Sequence, residues 1–265
     1  MKIYSLAFLF LFQFPFVCHE ALEFTTSFPI TDSQQKPNRI KPGVLNIVFK
    51  STDGGQTWQD ISEGLSEAGQ EDGIQRDDFF ADDKGLFLRA GNWIYHNKPN
   101  STAPFWSKEI FSDESWKQVH TGGGVVESNG VLMATSQKGI IRSTDDGENW
   151  ELVISEGGVG IAIESIKGGF AAITYNTVSK TRRVRTSYDG GKTWTPIDAD
   201  LPPSPSIASI IQVGEYFFCG HPTGIFRSSD KGKTWKLLLP SIENKVFNLC
   251  VSGNVIYAIP RAGGC

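Results

Sequence analysis

The stretch Gly224-Ile225-Phe226-Arg227-Ser228-Ser229-Asp230-Lys231-Gly232-Lys233-Thr234-Trp235 decides the fold of this 265-residue chain. It ends in the pattern Ser-x-Asp-x-Gly-x-x-Trp, which recurs in three further places, beginning at Ser51, Ser143 and Ser187. A pattern with four fixed positions does not recur this often by chance. An internal repeat of this kind predicts an architecture built from equivalent structural units.

Each copy of the pattern has the composition of a tight turn between two strands. Asp side chains accept hydrogen bonds from backbone N–H groups in turns, and Gly supplies the positive φ that a reversal needs. The Trp is expected to pack over the turn. The residues predicted to hold these turns are Asp53, Gly55, Trp58, Asp145, Gly147, Trp150, Asp189, Gly191, Trp194, Asp230, Gly232 and Trp235. We therefore interpret the aspartates as structural and not catalytic.

The spacing of the turns predicts the repeating unit. Two short apolar runs precede the two strands that flank each turn, which gives four strands in roughly 44 residues, as in a β-propeller blade. The gap from Asp53 to Asp145 is about twice the gap from Asp145 to Asp189. A degenerate copy is therefore expected between them, at residues 93–106.

The two ends of the chain are predicted to share one blade. Residues 246–253 and 254–260 have the pattern of two inner strands, whereas residues 43–50 begin as a third strand. With four complete repeats, this predicts an all-β fold, a β-propeller of five four-stranded antiparallel blades. Sharing a blade between the ends closes the ring without free strand edges.

The repeated turns resemble Asp-box (BNR) repeats, and the resemblance covers residues 40–265. Such repeats occur in sialidases, sortilin-type receptors, some glycoside hydrolases and the photosystem II assembly/stability factor family. The run from Gly139 to Trp150 is most similar to the last of these. The resemblance implies that the boxes are turns at the blade periphery. It also implies that ligands bind at the opposite face, in that family through an arginine patch for a partner peptide.

The N-terminus reads as a secretory signal. Lys2 precedes the apolar run 6–17, which is too short to span a membrane. We expect residues 1–20 to be a signal peptide, 21–42 an N-terminal strap or tether, and 43–265 the propeller. The mature protein is then secreted, or periplasmic in a bacterial source. Asn100 begins an Asn-Ser-Thr sequon for N-glycosylation.

Composition excludes several functional classes. A net charge of −4 and a pI of about 5.6 argue against nucleic-acid binding. Beyond residues 6–17 the sequence has no second apolar run that would predict a membrane span. Cys219, Cys250 and Cys265 are too few for a disulfide scaffold and have no zinc spacing. We expect two buried thiols at Cys219 and Cys250, no metal, no cofactor and a monomer.

Candidate ligand-binding residues lie in the loops between the second and third strands of each blade. Each of these five loops carries a cationic or titratable group, and they are expected to surround a central funnel. This pattern favours an anionic ligand on a protein or carbohydrate partner, although loops carry charges in any soluble protein. The residues are Arg89, Lys138, Arg182, Arg183, His221 and Arg261, with Trp116 as a candidate stacking platform.

An enzymatic function is the alternative. A sialidase-like hydrolase needs an arginine triad, a Tyr–Glu pair and an acid/base carboxylate. An Arg-Ile-Pro segment is expected, but residues 39–42 read Arg-Ile-Lys-Pro, and nothing pairs Glu164 with Tyr175. The sequence therefore favours a non-enzymatic binding module over a divergent sialidase or other glycoside hydrolase.

Overall fold

A computed structural model describes residues 46–65, 74, 78–90, 93–110, 124–155, 158–243 and 245–261. Contacts divide the chain into residues 1–39 and Ile40–Cys265, and all the described residues belong to the second unit. Their regular elements are twenty β-strands. The predicted signal peptide, Trp116 and Cys265 lie outside the described residues.

The strands form five antiparallel sheets of four strands, which we call blades 1 to 5. Blade 1 contains β19 (Val246–Ser252), β20 (Val255–Arg261), β1 (Phe49–Ser51) and β2 (Gln59–Asp60). Blade 2 contains β3 (Phe79–Asp82), β4 (Gly85–Ala90), β5 (Trp93–Asn97) and β6 (Ser107–Ile110). Blade 3 contains β7 (Val125–Ser128), β8 (Val131–Ser136), β9 (Gly139–Ser143) and β10 (Glu151–Ile154).

Blades 4 and 5 repeat the same order. Blade 4 contains β11 (Gly160–Ile166), β12 (Gly169–Asn176), β13 (Thr181–Ser187) and β14 (Thr195–Pro196). Blade 5 contains β15 (Ser209–Val213), β16 (Tyr216–His221), β17 (Gly224–Ser228) and β18 (Lys236–Pro240). In each blade we call the strands A to D in this order. The predicted all-β propeller with five blades is confirmed.

Blade 1 joins the two ends of the chain as predicted. β1 pairs antiparallel with β20, and Phe49 lies opposite Ala258. The third strand begins at Phe49, later than the sequence suggested, and continues to Ser51. The C-terminal strands A and B therefore depend on N-terminal residues for their outer neighbour.

Among the residues that the structure describes, apolar side chains fill four of the interfaces between blades. In β16, Phe217 and Cys219 belong to the cluster shared with blade 4, whereas Phe218 belongs to the cluster shared with blade 1. This alternation follows from the two-residue period of a strand. Similar clusters join blades 1 and 2 around Tyr257, and blades 3 and 4 around Met133. Burial of one such side chain contributes about 2 kcal/mol.

The four predicted boxes are the C–D turns of blades 1, 3, 4 and 5. In blade 1, Ser51 Oγ and Thr57 N donate to Asp53 Oδ1 at 2.9 Å each, and Thr57 Oγ1 donates to Oδ2 at 2.6 Å. Gly55 N donates to Ser51 Oγ at 2.8 Å. Gly55 has a φ of 78°, and a Cβ there would lie 2.7 Å from Phe218 of blade 5. Both the turn and the neighbouring blade therefore require glycine.

The degenerate copy lies in blade 2, between β5 and β6, as predicted. Asn97 takes the place of the box serine, and its Nδ2 donates to Ser101 Oγ at 2.9 Å and to Phe105 O at 2.8 Å. Tyr257 of blade 1 donates to Asn97 Oδ1 at 3.1 Å. The Asn97 amide thus holds this turn, whereas an Asp carboxylate holds the turn in each of the four boxes. Asn100 is exposed within it.

A basic residue directly before the box serine links three of the blades to the next turn. Arg227 Nη1 donates to Gly54 O at 3.1 Å, and Arg142 Nε donates to Gly190 O at 2.6 Å. Lys50 Nζ lies 3.4 Å from Lys98 O in the degenerate turn. These bonds cross from blade 5 to 1, from 3 to 4 and from 1 to 2. These bonds fix the position of each turn relative to the neighbouring blade.

Candidate funnel site

The antiparallel order of the strands sorts the connections onto two ends of the blades. A–B and C–D turns lie at one end, which carries the boxes, whereas B–C turns and D–A connections lie at the other. We call the second end the funnel face. The described funnel candidates all lie at B–C positions: Arg89 in β4, Lys138 after β8, Arg182 and Arg183 in β13, His221 in β16 and Arg261 in β20.

Arg89 forms an ion pair within blade 2. Its Nε donates to Asp78 Oδ1 at 2.8 Å, and its Nη2 contacts the same oxygen. The side chain of Arg89 remains 38% exposed, against 13% for Asp78. The carboxylate therefore neutralises Arg89 locally and fixes its guanidinium at the funnel end.

Arg182 and Arg183 point to opposite faces of β13. Arg182 is buried, and its Nη1 donates to Ile207 O at 2.7 Å. Arg183 makes a bidentate pair with Asp198, with Nε–Oδ2 at 2.7 Å and Nη2–Oδ1 at 3.0 Å. These hydrogen bonds raise the pKa of Arg183. Arg182 is built into the packing towards blade 5, whereas Arg183 keeps 39% of its side chain exposed.

His221 is almost fully buried, with 1% of its surface exposed. Thr223 N donates to its Nδ1 at 3.1 Å, so the proton lies on Nε2, which donates to Pro202 O at 2.9 Å. Burial lowers the pKa of His221. The ring is therefore neutral at pH 7 and packs edge-on against Phe226. We assign it to the packing of blade 5 and not to anion binding.

Lys138 and Arg261 complete the described candidates. Lys138 is exposed in the two-residue turn between β8 and β9. Arg261 ends β20, is half-buried and lies opposite Val246. The sequence did not single out Arg185, whose Nη1 donates to Thr174 Oγ1 at 3.0 Å and whose pKa is lowered by burial. The sequence does contain a signal for it, because Arg185 follows Arg183 by two residues in β13 and so lies on the same face of the strand.

The candidate catalytic pair is not brought together. Glu164 lies opposite Ala171 across β11 and β12, whereas Tyr175 lies four residues further along β12. Four residues of strand span about 13 Å. Among the described residues, no group of His, Cys, Asp and Glu side chains could hold a metal ion. Cys219 and Cys250 are free thiols; Cys219 is buried as predicted, whereas Cys250 is only partly buried.

No helix of the described residues is long and apolar enough to cross a membrane.

Comparison with known proteins identifies the repeat. The family model for the BNR/Asp-box repeat matches residues 49–60, which contain the first box. No curated protein sequence matches the chain significantly.

Several solved structures are similar at low identity. An ancestral GH74 enzyme is 16% identical, with a TM-score of 0.44 over 82% of this chain and 29% of its own. The Hadza microbial sialidase Hz136 is 18% identical, with a TM-score of 0.37 over 81% of this chain and 58% of its own. YCF48 from Cyanidioschyzon merolae is 14% identical, with a TM-score of 0.26 over 81% and 88%. The chain thus spans less than two thirds of the first two proteins. Because the matched motif forms the same C–D turn in four of the five blades, we identify the chain as a BNR/Asp-box repeat β-propeller.

Proposed function

We propose that this protein is a secreted, non-enzymatic binding module that holds an anionic group of a protein or glycan ligand on its funnel face. The proposal is carried by Arg183. Asp198 fixes two of its nitrogens, while 39% of the side chain stays exposed at the funnel end. A guanidinium held in this way can still donate from Nη1 to a ligand oxygen. Because Asp198 already orders the side chain, ligand binding loses little side-chain entropy.

Lys138 supports the same reading. Thr174 lies opposite Arg183, and its neighbour Ala172 packs in the cluster shared with blade 3, so Arg183 is on the blade 3 side of β13. Lys138 is at the B–C turn of blade 3 and is exposed. Because Asp198 offsets the charge of Arg183, Lys138 supplies the net positive charge. A carboxylate or sulfate that meets both side chains would be held more firmly than by one exposed ion pair, which contributes about 0–1 kcal/mol. Arg89 and Arg261 extend the proposed surface to blades 2 and 1.

Secretion and glycosylation belong to the same proposal. The apolar N-terminal run supports export through a signal peptide at residues 1–20, with 21–42 as a tether ahead of the propeller. Asn100 is exposed in a C–D turn, at the end opposite the funnel. A glycan on Asn100 would therefore leave the funnel face open to a ligand.

The test combines a search for ligands with a matched pair of variants. Purified protein is applied to glycan and peptide arrays and incubated with fluorogenic sialosides and glycosides, and the strongest array ligand is titrated by calorimetry. We expect Arg183→Gln to weaken this ligand about tenfold. Lys192→Gln removes the same charge from the box turn of the same blade and should leave affinity unchanged. Added salt should weaken binding, since screening sets in over ~10 Å at 0.1 M.

Equal affinities for wild type and Arg183→Gln would contradict the funnel site. Turnover of a sialoside or glycoside would replace the binding module by the alternative, a divergent glycoside hydrolase.

A further inference from the structure

Five equivalent positions lie near the funnel end of the innermost strands. Each is four residues before the last residue of its A strand, so the five lie at one level around the axis. They are Asp78, Gly124, Ala162, Ser209 and Asn248. Three of the five carry a polar side chain.

Two of the three polar side chains are satisfied within the protein. Asp78 accepts from Arg89, which lies on the adjacent B strand. Ser209 Oγ donates to Phe247 O at 3.1 Å and accepts from Leu249 N at 3.0 Å. Each is therefore accounted for by a neighbour in its own blade or the next one.

Asn248 is different. It is 4% exposed, and its Nδ2 has no hydrogen-bond acceptor within the described part of the chain. The strand register explains why the amide has no acceptor. The residue opposite Asn248 on β20 is the apolar Ile259, whereas the equivalent residue of blade 2, Asp78, has Arg89 as its partner on the B strand. A buried donor without an acceptor is costly, and native proteins rarely leave one unmet. The amide is thus a candidate for contact with a bound molecule.

The strand register makes Arg261 a diagonal neighbour of Asn248. Val246 pairs with Arg261 and Asn248 with Ile259, so Asn248 and Arg261 are diagonal neighbours on one face of blade 1. Diagonal residues of an antiparallel pair are about 7 Å apart. Ile259 belongs to the cluster between blades 1 and 2, so this face looks towards blade 2. An amide N–H and a guanidinium both donate hydrogen bonds, and on diagonal positions of one face they suit an anionic oxygen.

We propose that Asn248 and Arg261 bind a ligand carboxylate at the floor of the funnel. The inference rests on the proposed function, which supplies the anionic ligand, and it adds the position and the chemical class of the group that is held. A sialic acid and a free peptide C-terminus present the same carboxylate. The amide also fixes the orientation of the ligand, because it can form a hydrogen bond only with an oxygen that reaches the A strand.

The experiment uses the full chain with two kinds of carboxylate probe. N-acetylneuraminic acid and the peptide acetyl-Gly-Gly-Ala are titrated by calorimetry, and the peptide with an amidated C-terminus is the matched control. The decisive variant is Asn248→Leu, which has similar size and lacks the donor. Ser252→Ala is its control, since Ser252 is a buried residue on the same face of β19, at the box end.

We expect wild type to bind at least one carboxylate probe and not the amidated peptide. Asn248→Leu should weaken that probe about tenfold or more, without a lower melting temperature, because it removes an unmet buried donor. Ser252→Ala should bind as wild type does. If Asn248→Leu does not fold, Asn248→Asp keeps the shape and places a like charge at the carboxylate, and it should weaken the probe at least as much.

The outcomes separate this inference from the proposed function. Affinity of Asn248→Leu within twofold of wild type, with a loss in Arg183→Gln, would overturn the inference and leave the proposed function standing. No binding of either carboxylate probe by wild type would overturn the inference alone, because the proposed function also allows a sulfate and is tested separately with the array ligand and Arg183→Gln.

Discussion

Asp230 shows how one side chain holds a turn of this propeller. Its Oδ1 accepts from Ser228 Oγ at 2.8 Å and from Thr234 N at 2.9 Å, and its Oδ2 accepts from Thr234 Oγ1 at 2.7 Å. These bonds lower the pKa of Asp230 to about 2. Since the folded pKa lies below the unfolded value of about 3.9, the carboxylate stabilises the fold above about pH 4, and this contribution is lost as the pH falls to about 2.

His221 gives the protein a second pH dependence, closer to neutrality. Burial lowers its folded pKa below the unfolded value of about 6.5, so the unfolded chain binds the proton first. The free energy of unfolding should therefore be at its full value above about pH 6.5 and fall as the pH drops below it. Urea denaturation at pH 7.5, 6.5 and 5.5 measures this. His221→Asn should be less stable at pH 7.5 and should lose less stability between pH 6.5 and 5.5.

His96→Asn is the control, because His96 is stacked on Phe87 and only partly buried. If His221→Asn showed the same loss below pH 6.5 as wild type, the buried neutral ring would not be its source.

At the scale of elements, the contacts between blades depend on side chains at the turns as well as on apolar clusters. Arg227 of β17 donates to Gly54 O in the turn between β1 and β2, and its guanidinium carbon lies 4.9 Å from the Tyr216 ring centroid. β1 has only three residues, so this bond holds a short strand at the junction of the chain ends. The blade that closes the ring is thus supported by blade 5 from the side.

Arg227→Met should lower the free energy of unfolding by about 1–2 kcal/mol. Met keeps the apolar stem, and the variant loses the hydrogen bond to a partly buried carbonyl. Lys233→Met is the control, since Lys233 is an exposed cation in the turn of the same blade. Equal stability of the two variants in urea would show that the bond to Gly54 does not support the interface.

At the scale of the whole molecule, the sequence predicted the blades and their closure but not the partners of the funnel cations. The box turns could be predicted from the sequence because the residues of each box lie within eight positions of one another. The partners of Arg89 and Arg183 are 11 and 15 residues away, and they meet only through the register of the sheets. Asn248 could not be singled out for the same reason, because Ile259 opposite to it decides that its amide is unmet.

The central claim is that the boxes hold the fold and that the ligand binds at the other end of the blades. Hydrogen–deuterium exchange with and without the strongest array ligand tests it most directly. The account predicts slower exchange on ligand binding at the B–C turns, above all at the starts of β13 and β9, with no change at the four box turns. Protection confined to the box turns around Asp53, Asp145, Asp189 and Asp230, with the B–C turns unchanged, would contradict it.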